Sequence, residues 1–278
     1  KNKERIEAMG VICAVPSFDV FNIANDKQKL MELCERYNLS HPKTRELNPT
    51  DLKSTADYVG FPAMIKPNLS QGAKGIVRVD NMSELEQKFP DIHKQFGACT
   101  LQQYVDQPDY YYNVMMYRDK QGKIVGQTII KIRRFFPLKG GTSCYSETVE
   151  HPFLLKECEE VLNKLGWVGF ADFDVLEDKH SGDLKIIEIN PRVPSSFQAA
   201  FAAGMDFGRI FMADIFNEPM PKFDYQTGKQ VRWMGLDVMW FLFSPDRFKF
   251  KPSWFKFFGK EVSYHDGAWN DPLPMLAG

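Results

Sequence analysis

GFADFDVLEDKHSGDLKIIEINPR occupies residues 169–192 of a 278-residue chain, and its two arms alternate strictly. Phe173 and Val175 share one face of the first arm, with Asp172 and Asp174 on the other. On the second arm Ile187 and Ile189 face away from Glu188 and Asn190. A period of two is the signature of a strand. Between the arms, DKHSGD (178–183) supplies turn chemistry. A turn centred near Ser181 sets Asp174 across from Glu188 and Asp172 across from Asn190, so four oxygen-bearing side chains share one face. Like charges so placed repel. Either a cation sits among them or the face is a solvated hairpin surface. Oxygen-only ligands select a hard cation, Mg²⁺ or Mn²⁺, over zinc. A slip of one residue would turn Glu188 to the wrong side.

The rest of the composition narrows the class. With 44% hydrophobic residues and a formal charge of -1, the chain reads as a soluble globular protein of one large or two to three smaller domains. The near-neutral balance argues against nucleic acid as a partner. Cys13, Cys34, Cys99, Cys144 and Cys158 are an odd set without a CxxC pair, and the histidines lack metal-ligand spacing, so neither a disulfide framework nor a zinc site is expected. A reducing cytoplasm fits best. The longest apolar run, WMGLDVMWFLF, carries an Asp and is too short to span a membrane, and KNKERIEAMG lacks a signal-peptide core. The missing initiator Met reads as a fragment of a longer protein.

Outward from the hairpin, DKQKLMELCERYNL reads as a helix with Leu30, Leu33, Cys34 and Tyr37 on one face and Asn25 or Asp26 as N-cap. FPAMIKP (61–67) and GIVRV (75–79) read as strands joined by NLSQGAK, followed by a helix over 82–89 and a third strand, CTLQQYV. Two longer strands follow, YYYNVMMYRD and KIVGQTIIKIRRF, then the glycine-rich KGGTS, a helix over 153–165 and the acidic hairpin. Past Pro219 the chain turns aromatic and basic. There Phe248 and Phe250 alternate with lysines as a half-buried strand would, ahead of the turn-rich DGAWNDPLPMLAG.

A divalent cation held by carboxylates usually takes phosphate oxygens as further ligands, and two stretches could hold phosphate. In FPAMIKPNLSQGAKGIVRV, Lys66 and Lys74 flank a loop whose Gly72 and Gly75 let backbone N–H groups approach an anion, though a plain hairpin with exposed lysines has the same letters. No GxxxxGK[ST] loop is present. In TIIKIRRFFPLKGGTS, Lys131 and Arg133 fall on one face by period two and Arg134 on the other, either around an anion or along a charged edge strand. Between these stretches, the exit of LQQYVDQPD could present backbone amides and carbonyls around Gln102, Gln103, Tyr104 and Val105 to a purine edge and Asp109 to a ribose hydroxyl, or could simply enter a loop.

Taken in order, FPAMIKP, QGAKGI, LQQYV and EINPR resemble the ATP-grasp superfamily, in particular its carbamoyl-phosphate-synthase-like and carboxylate-amine ligase members, over roughly residues 26–206. The resemblance implies an α+β fold in which a small lid and a larger subdomain grip ATP between antiparallel sheets. It divides the chain into a remnant of a preceding N-terminal domain (1–25), a linker helix and lid (26–105), a large subdomain with the metal site (106–220) and a C-terminal extension (221–278). Lys66 then matches the lysine on the α-phosphate, Gly72, Lys74 and Gly75 the closing loop, and Gln103 to Val105 the adenine-reading hinge. Asp109 competes with Asp106 for the ribose. Asp174, Glu188 and Asn190 match the metal ligands, Arg192 steadies the transferred phosphoryl group, and Lys131 and Arg133 hold its oxygens. The implied chemistry is ATP-dependent activation of a small-molecule carboxylate as an acyl phosphate. An amine or a thiol then attacks, with Arg192 and the N–H groups of Gly140 and Gly141 on the oxyanion. A homodimer is compatible with this reading. An ATP-binding regulatory or scaffold module without turnover is the rival.

Overall fold

The structure is a computed structural model and describes residues 2–70, 72, 74–138, 140–265, 267 and 273. Gln71 and Ala73 of the glycine loop, Lys139 of KGGTS and most of the turn-rich tail lie outside the described residues. Two helices, α1 (Lys3–Glu7) and α2 (Phe18–Asn25), precede the first helix expected from sequence. That helix is α3 (Lys27–Arg36), capped by Asp26, whose carboxylate accepts from the Gln28 and Lys29 N–H groups. Leu30, Leu33 and Cys34 are buried as expected. Tyr37 is not, because the helix ends one residue before it, and Met31 takes the fourth core position.

A four-stranded antiparallel sheet follows, from β1 (Thr44–Glu46), β2 (Ala63–Pro67), β3 (Val77–Val79) and β4 (Cys99–Gln103) in the order β1-β4-β2-β3. Helices α4 (Leu52–Val59) and α5 (Met82–Phe96) cover one face, packing Val59, Leu85 and Phe89 on Ile65 and Leu101. Helix α5 runs past the expected end at residue 89, through Pro90 to Phe96. About two extra turns place the Phe96 ring where a Cβ on Gly75 would lie only 2.7 Å from it, and Gly75 also has φ +74. Glycine is therefore required at this loop exit on two counts.

The larger sheet has seven strands. It is built from β5 (Tyr111–Arg118), β6 (Ile124–Phe136), β7 (Thr142–Val149), β8 (Gly169–Glu177), β9 (Leu184–Asn190), β10 (Gln230–Arg232) and β11 (Val262–Tyr264), in the order β11-β10-β7-β6-β5-β8-β9. Strand β7 lies where the glycine-rich sequence gave no strand signal. Helix α6 (Pro152–Leu165) packs on one face against Val114, Met116, Phe173 and Val175. On the other face α7 (Phe197–Ala202) and α8 (Phe207–Phe216) pack near Met115, Tyr117 and Ile130. The expected strand around Phe248 is absent. Residues 245–249 form turns and Phe248 is 72% exposed, because helix α9 (Met234–Phe243) already seats its aromatic neighbours, Trp240 on Phe250 and Phe241 on Trp254.

Candidate active site

Strands β8 and β9 pair with Asp174 opposite Glu188 and Asp172 opposite Asn190, the register that the turn position implies. A bulge follows Asp174, so that Val175 pairs with Ile186. Ile186 and Ile189 therefore enter the core and Ile187 is left half-buried, where strict alternation had placed Ile187 beside Ile189. The bulge falls after the carboxylates and leaves their face intact.

Amides hold the acids in place. Asn190 donates through Nδ2 to Asp172 and to Asp174, at 3.2 Å each. Asn113, on the adjoining strand β5, donates to Asp174 Oδ1 at 3.0 Å, and Ser196 donates through Oγ to Asn113 Oδ1 at 2.8 Å. The Ser196 bond turns the Asn113 amide so that its N–H faces the carboxylate. Asp172 is 1% exposed and its Oδ1 has no partner among the described residues. Burial, and then the Asp174 charge, push the Asp172 carboxyl far above the usual carboxylate range. Burial and the Glu188 charge raise Asp174 to about 7. A buried carboxylate oxygen without a donor, beside two further acids, is a site short of positive charge.

The available donors are all oxygens, which suits a hard divalent cation. Among the described residues no group of three or more Asp, Glu, His and Cys side chains closes into a metal cage. Asp174, Glu188 and Asn190 form an open half-shell instead, and a cation shared with phosphate oxygens needs such an open side.

Cations face this half-shell across the cleft. Lys66, at the end of β2, is buried and donates to Gln102 Oε1 at 2.6 Å, while Gln102 Nε2 donates to Thr44 at 3.0 Å. The Gln102 side chain therefore positions Lys66, a role that the sequence reading did not foresee. Burial lowers the Lys66 amine to about 8, against an upward pull from Glu188. Lys27, at the start of α3, is 3.4 Å from Glu188 and reaches the Ser70 carbonyl at 3.3 Å. Sequence reasoning missed Lys27, Asn113 and Ser196. A lone amide in the otherwise apolar and aromatic YYYNVMMY was the available signal for Asn113, and the PSS that follows EINPRV was the signal for Ser196. Lys27 had none, since a lysine after a helix cap is ordinary.

Of the other expected site residues, some lie away from the acids. Lys131 pairs with Tyr112 while Asn113 pairs with Asp174, so Lys131 is on the opposite sheet face from the acids, 3.8 Å from the centre of the Tyr110 ring. Arg133 stays close enough for its charge to lower the Lys131 amine, and its guanidinium donates to the Lys251 carbonyl. The ladder irregularity between Ile132 and Arg134 instead brings Arg134, opposite Tyr145, to the face of Lys131, opposite Glu147, where alternation had put it on the other side. Arg134 needs no external anion because Asp237 neutralises it at 2.7 Å. At the hinge, the Gln103 and Tyr104 N–H groups bond the Lys43 and Pro62 carbonyls, Val105 is buried, and Arg78 lies over the Tyr104 ring. Asp106 pairs with Lys179 at 2.7 Å, tying the hairpin turn to the hinge, whereas Asp109 is exposed. Gly72 and Lys74 are exposed at the mouth of the loop. Gly141 packs so closely on the Phe136–Pro137 backbone that a Cβ would overlap it. Arg192 leaves the end of β9 on the exposed side, near enough for its charge to act on Asp172.

The model of the carbamoyl-phosphate synthase L chain, ATP binding domain, matches residues 26–211. A D-aspartate ligase of Enterococcus faecium is 24% identical over 255 residues, 83% of this chain and 60% of the ligase. The arginine-specific carbamoyl phosphate synthase large chain of Bacillus subtilis is 21% identical over 68% of this chain but only 18% of its own length. The chain thus spans less than two thirds of these curated relatives. Among solved structures, a biotin carboxylase of Campylobacter jejuni in a β,γ-ATP complex superposes with a TM-score of 0.70 at 18% identity, covering 82% of this chain and 54% of that one. A D-alanine–D-alanine ligase of Bacillus anthracis complexed with ATP does so with 0.59 at 20%, covering 77% and 72%.

Proposed function

The chain belongs to the carbamoyl-phosphate synthase L chain ATP-binding-domain family, with the α+β ATP-grasp fold, and on that premise we propose that it works as an ADP-forming ligase joining a small-molecule carboxylate to an amine. The observation that carries this reading is the half-shell of Asp174, Glu188 and Asn190, locked by Asn113 and Ser196 and faced by Lys66 and Lys27. A substrate carboxylate oxygen attacks the γ-phosphorus of ATP in line. The bond from that phosphorus to the β-phosphate bridging oxygen breaks, and its electron pair leaves with ADP. The amine nitrogen then attacks the acyl phosphate carbon, inorganic phosphate departs and the nitrogen gives up a proton to solvent.

Asp174, Glu188 and Asn190 would hold Mg²⁺ or Mn²⁺, which would supply neutralisation of the phosphate charge. Lys66, fixed by Gln102, holds phosphate on the lid side, with Gly72, Lys74 and Gly75 closing over it. Tyr104 and Val105 flank the base, and Arg192 faces the transferred group from the far end of β9. The cysteines, all present as thiols, suit a reducing cytoplasm. The test is ADP release by the full chain with ATP, Mg²⁺ and a panel of carboxylate and amine pairs. Release of ADP and phosphate in equal amounts with at least one pair is expected. Saturable ATP binding with no ADP from any pair would instead mark an ATP-binding module without turnover.

A further inference from the structure

On the face of the large sheet that carries the acids lies a second feature, a cavity of about 640 Å³ beyond Asp172. Phe170, Asp172 and Asp174 follow one another on one side of β8, and Phe170 lines the cavity. By the rise of a strand, the cavity floor therefore starts roughly 7 Å from Asp172. Trp167, Val193, Phe197, Phe207 and Phe211 form other parts of its wall. The polar tips of the aromatic lining are used internally: the Tyr117 hydroxyl donates to Asp214 at 2.9 Å, and the Trp167 N–H donates to the Phe170 carbonyl at 3.2 Å. Those two residues thus offer the cavity ring surface alone.

Two charges line it among the described residues, Lys3 and Arg192, both positive. Lys3 donates to the Val15 carbonyl, whereas Arg192 has no ion-pair partner among the described residues. Arg192 lines the cavity, and its charge also reaches Asp172. A molecule seated here has an apolar body on the rings and an anionic end at the guanidinium, next to the phosphoryl path. We propose that this cavity seats the carboxylate substrate, and that the substrate is an acid with a phenyl- or branched-chain-sized apolar body rather than a small polar one. The assignment of that acid as phosphoryl acceptor rests on the ligase reading above.

Isothermal titration of the full chain with 3-phenylpropionate, acetate and 2-phenylethylamine, with and without Mg·ADP, tests it without turnover. 3-Phenylpropionate is expected to bind at least tenfold more tightly than either of the others. Phe211→Asp should weaken it at least tenfold, with Mg·ADP affinity and melting temperature unchanged. If that variant does not fold, Val193→Asp, at a more exposed wall position, takes its place. A preference of less than tenfold over acetate or over the amine overturns the assignment, as does wild-type affinity in a folded variant. Loss of Mg·ADP binding alone would strike the ligase reading and leave the cavity assignment standing. Normal Mg·ADP binding without selective phenylpropionate binding would do the reverse.

Discussion

Two buried clusters in this molecule gather like charges, and they are finished in opposite ways. In the first, Arg134 and Arg232 converge on a single Asp237, at 2.7 and 2.6 Å, with all three residues at most 1% exposed. The excess positive charge is covered by aromatic faces, Tyr145 and Trp240 on Arg134 and Phe257 and Trp254 on Arg232. In the second, Asp172, Asp174 and Glu188 share a strand-pair face with one amide donor on Asp172, an oxygen without a partner and carboxyls pushed upward. A cluster that brings its own counter-charge and π cover serves the fold. One left short of charge, with Lys66 and Lys27 facing it, is the one to which we assign a ligand.

The contrast breaks or sharpens with one substitution in each cluster. Asp237→Asn leaves two buried guanidinium groups facing each other and joins no catalytic step. It should cost about 3–5 kcal/mol of folding free energy, read as a lower denaturant midpoint. A loss of under 1 kcal/mol would mean that the aromatic cover alone holds these arginines. Glu188→Gln should behave the other way: ADP release falls on the order of 100-fold or more, while the melting temperature holds or rises as repulsion with Asp174 is relieved. Retained turnover would remove Glu188 from the half-shell, and a large drop in stability would make the second cluster structural like the first.

How much of this was legible in the sequence follows from the range of each interaction. The acidic face of the hairpin could be read because period-two alternation and a turn are local, and the register of Asp174 with Glu188 followed from the position of the turn. The Arg134–Asp237 pair could not, since 103 residues separate the partners and IIKIRRF alone looks like an anion site. Irregular pairing in β6 and β9 misassigned Arg134 and Ile187, because a bulge depends on how neighbouring strands meet and leaves little trace in one strand. Lys131 fails differently. Its alternation was right, but which face it joined was set by the pairing of β5 with β8, which no single-strand pattern encodes. The function of Gln102 was missed for a related reason. Its partner Lys66 lies on a neighbouring strand, and only the antiparallel register brings the amide to the amine.

The smallest effect expected is a pH dependence carried by Lys66. Burial lowers its amine to about 8, and Lys27 nearby acts in the same direction. A lysine with a depressed pKa is mostly charged at pH 7 and mostly neutral at pH 9.5 in the free protein. A phosphate placed beside it favours the charged form, so its pKa in the complex is higher. Between the two values, binding must take up a proton, and affinity for Mg·ADP therefore falls as pH rises through 8, by at most tenfold per unit. ADP is fully ionised throughout that range and Asp174, raised to about 7, titrates below it, so neither imitates the slope. Titration calorimetry at pH 7.5, 8.5 and 9.5 should give progressively weaker binding, with proton uptake visible as a dependence of the heat on buffer ionisation enthalpy. Lys66→Gln should bind more weakly at pH 7.5 and lose most of the slope. An affinity flat across the range, or the same slope in the variant, would mean that Lys66 holds Gln102 and the lid sheet together without touching phosphate, which would move the cleft's lysine from the ligand-seeking cluster to the structural kind.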